Sequence, residues 1–144
     1  MSSATVFAQV VGAIVNQLEA APAVSARIHR ARMRPLPTGA GTGVCVRIGR
    51  ADLQKGVGQG VPYLAATGIA VECYARGPAD SIDALLDALL QSAVSRLLAD
   101  PTLGGLVGDL NLTGVSYDFD VDGDATGCAI VTFDVLHSTP PTTF

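Results

Sequence analysis

Apolar residues keep helical spacing in two stretches of this chain and alternate residue by residue in five others. This change of period constrains the fold more than any other feature. The helical stretches span residues 5–20 and 82–98, and each carries a continuous apolar stripe. The alternating runs, which are typical of strands with one buried face, cover residues 26–34, 44–49, 62–76, 112–121 and 128–138. The predicted order of elements is therefore α-β-β-β-α-β-β.

This order predicts an α+β fold, because strands outnumber helices and follow one another in the chain as hairpins. We expect a mostly antiparallel mixed sheet of about five strands with two helices packed on one face. The runs 26–34 and 44–49 are predicted to pair as a hairpin with a long loop. A chain of 144 residues is expected to form a single domain.

Some segments follow neither period. The Gly-rich stretches 35–43 and 50–61 are predicted to be mobile loops. Residues 1–4 and 139–144 are expected to fray, since chain ends are poorly ordered unless other elements hold them.

Charged side chains are distributed unevenly along the sequence. Seven of the nine basic residues lie between Arg27 and Lys55, and none follows Arg96. Seven aspartates lie at or beyond position 100. A molecule with one basic and one acidic flank can associate head to tail with its own copies, and such a contact closes into a ring or continues as a filament.

The basic region contains six arginines and one lysine, and this ratio favours an interface. A guanidinium is a planar, bidentate donor that is enriched where proteins meet. A solvated strand face is the alternative interpretation. The predicted subunit interface comprises Arg27, Arg30, Arg32, Arg34, Arg47, Arg50, Asp118, Asp120, Asp122 and Asp124. We expect residues 27–50 and 118–124 to lie on opposite flanks of one subunit.

The acidic segment 118–124 also matches the first half of a calcium-binding loop, with alternating carboxylates and a glycine at the turn. The twelfth position of such a loop is a bidentate Glu, but it is Ala129 here, and the flanks are strand-like. A hairpin with an Asp-Gly turn explains the same pattern. A metal-binding module therefore stays as an alternative of a different class, and no metal ligand or cofactor is assigned.

Other chemistry is not indicated by the sequence. His29 and His137 lack metal-ligand spacing, and no serine or cysteine lies in a nucleophile motif, so the chain is predicted not to be an enzyme. Cys45, Cys73 and Cys128 are interpreted as buried free thiols. No apolar run reaches the roughly 18–20 residues of a membrane span. The net charge of -4 argues against non-specific nucleic-acid binding.

One region carries a recognisable set of segments: IAVECYAR at 69–76, ADSIDALLD at 79–87, LLADPTLG at 97–104, GVSYDFD at 114–120 and VTFDV at 131–135. In these segments the chain resembles the tail terminator (tail completion) proteins and minor tail proteins of long-tailed bacteriophages. The resemblance implies a hexameric ring that caps the tail tube, ends tube polymerisation and offers a surface for head–tail joining.

The resemblance also implies partners and a location. The expected partners are further copies of the chain, the tail-tube protein and a connector or neck protein, with DNA passing through the ring lumen. The protein is expected in the host cytoplasm during assembly and then in the virion tail. Connector proteins on the head side of the neck are similar at this level, so a head-side completion protein is the alternative within the same class.

Overall fold

The computed structural model describes residues 5–25, 28–30, 41–55, 58, 60–77, 81–120 and 125–139. Its elements follow the predicted order. They are α1 (Val6–Glu19), β1 (Ile28–Arg30), β2 (Thr42–Lys55), β3 (Tyr63–Gly77), α2 (Ile82–Leu98), β4 (Asp109–Asp120) and β5 (Ala125–Thr139). The predicted α+β class is confirmed.

The strands form one five-stranded sheet in the order β1-β2-β3-β5-β4. β1 is parallel to β2, and the other neighbouring pairs are antiparallel. Both helices pack on one face, as predicted: α1 lies over β1 and β2, and α2 lies over β3 and β5. The opposite side of the sheet is called the open face below.

The core lies between the helices and the sheet, where the stripes of both helices meet the alternating side chains of the strands. α1 buries Ile14 and Leu18, α2 buries Leu86 and Leu97, and the sheet contributes Phe133. Full burial of such a side chain is worth about 1.5–3 kcal/mol, so this layer supplies most of the favourable free energy of folding. Neither described helix is long and apolar enough to cross a membrane.

The two ends of α1 are stabilised in different ways. Thr5 caps the start, because its hydroxyl accepts a hydrogen bond from the Ala8 amide at 3.1 Å. The last turn contains no basic residue, and Arg96 of α2 takes that place. Its guanidinium donates to the carbonyl oxygens of Gln17, Ala20 and Pro22 at 3.3, 2.5 and 2.6 Å. A cation there satisfies orphan carbonyls and interacts favourably with the helix dipole.

β2 is longer than the sequence indicates, because a bulge interrupts its alternation. The strand continues to Lys55, so the predicted mobile loop 50–61 is wrong over residues 50–55. The register with β3 gains one extra residue between Ile48 and Ala51. That residue reverses the phase of the alternation, so the second half of the strand looks aperiodic.

The predicted hairpin between β1 and β2 is also wrong. Ile28 pairs with Val44 and Arg30 with Val46 in parallel. Residues 31–41 connect the two strands, close to the dozen that a parallel connection needs. The remainder of the predicted strand 26–34 lies outside the described residues.

Two predicted flexible segments are partly strand. Thr42 and Gly43 belong to β2, whereas residues 35–40 of that predicted loop lie outside the described residues. Thr139, predicted to fray, is 1% exposed and pairs with Tyr63 at the end of β5. β5 therefore stays paired with β3 up to Thr139, the last described residue.

Candidate functional site

The strands that carry the described ends of the predicted interface are the two edges of the sheet, whereas Arg47 and Arg50 lie on β2, next to one edge. β1, which carries Arg30, forms one edge, and β4, which carries Asp118 and Asp120, forms the other. Asp118 is exposed and pairs with Cys128 on the open face. The predicted interface residues that lie outside the described part of the chain are Arg27, Arg32, Arg34, Asp122 and Asp124. A head-to-tail contact requires two different surfaces on opposite flanks, and these edges provide them.

The described arginines of the predicted interface already have partners within the chain. Arg47 forms a salt bridge with Glu72, and Arg50 pairs with Asp52 at 2.9 Å. Arg30 donates instead to a carbonyl oxygen, that of Ala8 in α1, at 3.0 Å. Because two of these three cations are neutralised by carboxylates of the same chain, the positive charge offered to a neighbour is smaller than the sequence suggests.

Glu72 is buried on the open face and is 2% exposed. Arg47 pairs with its carboxylate, and the Tyr74 hydroxyl donates a hydrogen bond to it. A buried carboxylate costs several kcal/mol unless it is paired and hydrogen-bonded, so these two side chains stabilise it there. Sequence reasoning did not single out Glu72. The signal was a lone acid in the middle of a strand of apolar and small residues.

The side chains near Glu72 are poorly suited to nucleophilic chemistry. Burial raises the pKa of the Cys128 thiol, and burial together with the nearby Cys128 raises the pKa of Cys73 to about 12. Burial likewise raises the pKa of Tyr74. A thiol with a raised pKa stays neutral near pH 7, and the thiolate is the nucleophile. These thiols therefore behave as small apolar groups.

No metal site is evident among the described residues, since no three of their His, Cys, Asp and Glu side chains are grouped so as to hold an ion. The calcium-loop alternative falls on residues 118–124, and 121–124 lie outside the described part of the chain. That alternative is therefore not tested by the geometry.

An apolar row lies along the β4 edge on the helix side of the sheet. It consists of Leu112, Val115, Tyr117 and Phe119, which are 46%, 42%, 55% and 45% exposed. The rings of Tyr117 and Phe119 are nearly parallel, with centroids 6.4 Å apart. Two helices side by side, each about 10 Å wide, cover about four strands at a spacing of about 4.8 Å. The row therefore lies at the margin of α2, which leaves its side chains about half exposed.

A β-bulge keeps this row on one face. The register with β5 shifts between Leu112 and Gly114, so Thr113 is the extra residue. Its hydroxyl donates to the Thr132 carbonyl oxygen at 3.0 Å and lies 2.9 Å from the Thr132 hydroxyl. Without the bulge, Leu112 and Val115 would point to opposite faces, because strand side chains alternate.

Grooves adjoin the sheet at two places among the residues that the structure describes. One of about 730 Å³ lies at an end of the open face, lined by Leu64 and Leu136 of the sheet and Leu106 of the preceding loop. A smaller one of about 250 Å³ lies between α1 and the β1–β2 edge, on the helix side. The smaller groove, called the α1 groove below, is lined by Phe7, Val11, Val46 and Ile48, with Arg30 beside them.

The fold is shared with a solved virion protein. A chain from the virion of the native gene transfer agent (GTA) particle matches with a TM-score of 0.58 at 16% sequence identity. The match covers 93% of this chain and 98% of that chain. At this identity the likeness establishes the fold alone. No protein-family profile and no curated protein matches the sequence.

Proposed function

We propose that this protein is a structural component of a virion that assembles into a ring and caps the tail tube. The observation that carries the proposal is the fold shared with a chain of the GTA virion over nearly the whole length of both chains. The resemblance of residues 69–135 to tail terminator proteins favours the same role. In this role the ring, a hexamer, ends tube growth and then offers a surface for head–tail joining.

The positions of the charged edges support a ring. A heterologous contact needs a basic flank and an acidic flank on opposite sides of one subunit, and Arg30 and Asp118 occupy opposite edges of the sheet. Exposed ion pairs are worth only about 0–1 kcal/mol each. Charge therefore orients the copies and rejects wrong partners, while apolar burial supplies most of the affinity.

The proposed partners are further copies of this chain, the tail-tube protein of the same virion and a neck or connector protein on the head side. The ring assembles in the host cytoplasm and stays in the virion tail, and DNA passes through its lumen. The role requires no cofactor and no catalytic residue.

Electron microscopy and native mass spectrometry test the proposal. The purified protein, alone or with tail-tube protein, should give rings with the mass of six chains. Tubes polymerised in its presence should be shorter and carry a cap at one end. A chain that stays monomeric at high micromolar concentration, with tube protein as well as without it, would contradict the proposal.

The head-side alternative arises because the GTA match names a virion and not a position within it. A completion protein on the head side would bind the connector and leave tube length unchanged. Tube-length distributions with and without the protein therefore separate the two roles.

The metal-binding alternative, through residues 118–124, has its own measurement. Calcium titrated into the protein should release heat and raise the melting temperature if carboxylates of this segment hold the ion. A titration without heat and without a change in melting temperature would remove this alternative.

A further inference from the structure

We propose that the apolar row on β4 binds the β1–β2 edge of a second copy, with Leu112 and Val115 of the row against the α1 groove. This inference rests on the proposed ring and names the residues that hold it together.

Part of the row lies at the same height on the sheet as the α1 groove, because Leu112 is in line with Ile48 and Val115 with Val46. One line of paired residues crosses all five strands: Ile28, Val44, Cys73, Ala129 and Tyr117. The next line begins at Arg30 and ends at Val115. Paired residues point to the same face, so both ends of each line are on the helix side. Copies placed edge to edge, without a shift along the strands, therefore bring Tyr117 and Val115 against Ile28 and Arg30.

The two surfaces are also complementary in shape. The row projects beyond the helices and exposes on the order of 400 Å² of apolar surface, which is comparable with the largest patch on a typical monomer. The α1 groove is concave, about 250 Å³ in volume, and Ile48 on its wall is 44% exposed. Leu112 and Val115 are the residues of the row that meet this groove, and apolar side chains seated in a pocket are protected from water at the centre of an interface.

Charge selects the second copy's opposite edge rather than its own β4. On the helix side the flank next to the row is acidic, because α2 turns Arg96 towards α1 and carries exposed Asp83 and Asp87 on the side away from it. The flank at the α1 groove carries Arg30, whose described partner is a carbonyl oxygen. Two β4 edges placed together would bring like charges into contact, which is unfavourable. The contact between different edges brings opposite charges together.

Cysteine cross-linking tests the pairing directly. The double variant Arg30→Cys plus Val115→Cys should give, on mild oxidation, a ladder of covalent multimers that ends at the size of the ring. Each single variant should remain monomeric on a denaturing gel, with the wild type as the control for Cys45, Cys73 and Cys128. A Val115→Cys variant that dimerises alone would show contact between like edges and overturn the inference. A cross-link from Val115→Cys to tube protein, with none between copies, would do the same.

Substitution of the row separates this inference from the proposed function. Leu112→Ser and Tyr117→Ser should each weaken assembly at least tenfold in native mass spectrometry, with melting temperatures close to the wild type. Leu64→Ser is the matched control, because Leu64 is 62% exposed but lies on the open face, and it should leave assembly unchanged. Rings that form normally in both row variants would overturn the inference and leave the proposed function standing. A wild-type protein that never assembles would overturn both.

Discussion

At position 72 a glutamate lies on the open face of β3, and the residues that precede it on that face are small: Ala66, Gly68 and Ala70. Small neighbours leave room for the Arg47 guanidinium to reach across from β2 and meet the carboxylate. The Tyr74 hydroxyl satisfies a second oxygen from the same strand. The charged form of Glu72 therefore depends on both partners, and Arg47 contributes the compensating charge.

Removal of Arg47 alone should destabilise the folded protein. We expect Arg47→Met to lower the free energy of unfolding by about 2–4 kcal/mol, because it leaves a buried carboxylate without its cation. Adding Glu72→Met should recover most of that loss, since an apolar pair of similar volume needs no compensation. Urea unfolding of both variants measures the difference.

The matched control for this cycle is Arg50→Met. Arg50 pairs with Asp52, but both side chains are largely exposed, so the change should stay within about 0.5 kcal/mol. Equal losses for Arg47→Met and Arg50→Met would show that the burial of Glu72 has no energetic consequence.

The raised pKa of Cys73 predicts that the folded protein loses stability at alkaline pH. Burial raises its pKa from 9.0 to about 12 in the folded protein, whereas the unfolded thiol ionises near its ordinary value. The folded state thus keeps a proton that the unfolded state loses. The contribution of this thiol to the free energy of unfolding is fully present below pH 9. It declines between pH 9 and 12, by at most about 1.4 kcal/mol per pH unit.

Urea unfolding at pH 8 and pH 10.5 for the wild type and Cys73→Ala checks this prediction. The variant loses packing at both pH values, but its stability should fall less between them. Parallel declines in the two proteins would assign the alkaline loss to other groups.

At the scale of elements, Arg96 joins the two helices. Arg96 donates three hydrogen bonds to carbonyl oxygens at the end of α1. In return, the Gln17 side-chain amide donates a hydrogen bond to the Arg96 carbonyl oxygen at 3.2 Å. The C-terminal end of α1 is therefore capped by a side chain of α2 and not by one of its own.

Arg96→Met should release the end of α1 and lower the free energy of unfolding by about 1–3 kcal/mol. Arg96→Lys should not restore it, because one ammonium cannot reproduce the planar fork that reaches several carbonyls. Hydrogen exchange should show the loss of protection concentrated at residues 17–24. A loss spread evenly over the sheet would argue against a local cap.

The sequence predicted the uninterrupted elements well and the interrupted ones poorly. α1, α2, β3 and β5 each keep one period from end to end, and their predicted bounds agree with the structure to within a few residues. Bulges in β2 and β4 change the phase of alternation, and the loss of phase concealed the second half of β2. β1 contains three residues, and such a short edge strand carries no pattern that reveals its parallel direction.

The sequence predicted a charged interface, which stays a prediction, and did not indicate the apolar row. The uneven distribution of basic and acidic residues predicted two flanks, and Arg30 and Asp118 do lie at opposite edges. The exposure of Tyr117 and Phe119 could not be predicted, because alternation gives the same signal for a strand under a helix and for one beyond it. Only the strand order, with β4 outside β5, distinguishes the two.

At the scale of the whole molecule, the proposed ring predicts separable contributions of apolar contact and charge to assembly. Raising the salt concentration from about 50 to 500 mM shortens the Debye length to a few ångströms. We expect association to slow about tenfold, because steering is lost, while the ring keeps its stoichiometry, because the row remains buried. Light scattering gives the rate and analytical ultracentrifugation the stoichiometry. Dissociation into monomers at high salt would mean that ion pairs hold the ring.

The central position of β3 and β5 has a further consequence for the order of events after synthesis. These strands pair over their full lengths, although residues 78–124 lie between them in the chain. Contacts so distant in sequence form slowly, because the chain loses loop-closure entropy before the stabilising contacts between the two strands have formed. β4 can pair early with β5 as a local hairpin, but it becomes an edge of the sheet only once β5 has joined β3. In the proposed ring, the row on β4 can therefore meet the β1–β2 edge of a neighbour only after β5 has joined β3, so incompletely folded chains are not incorporated.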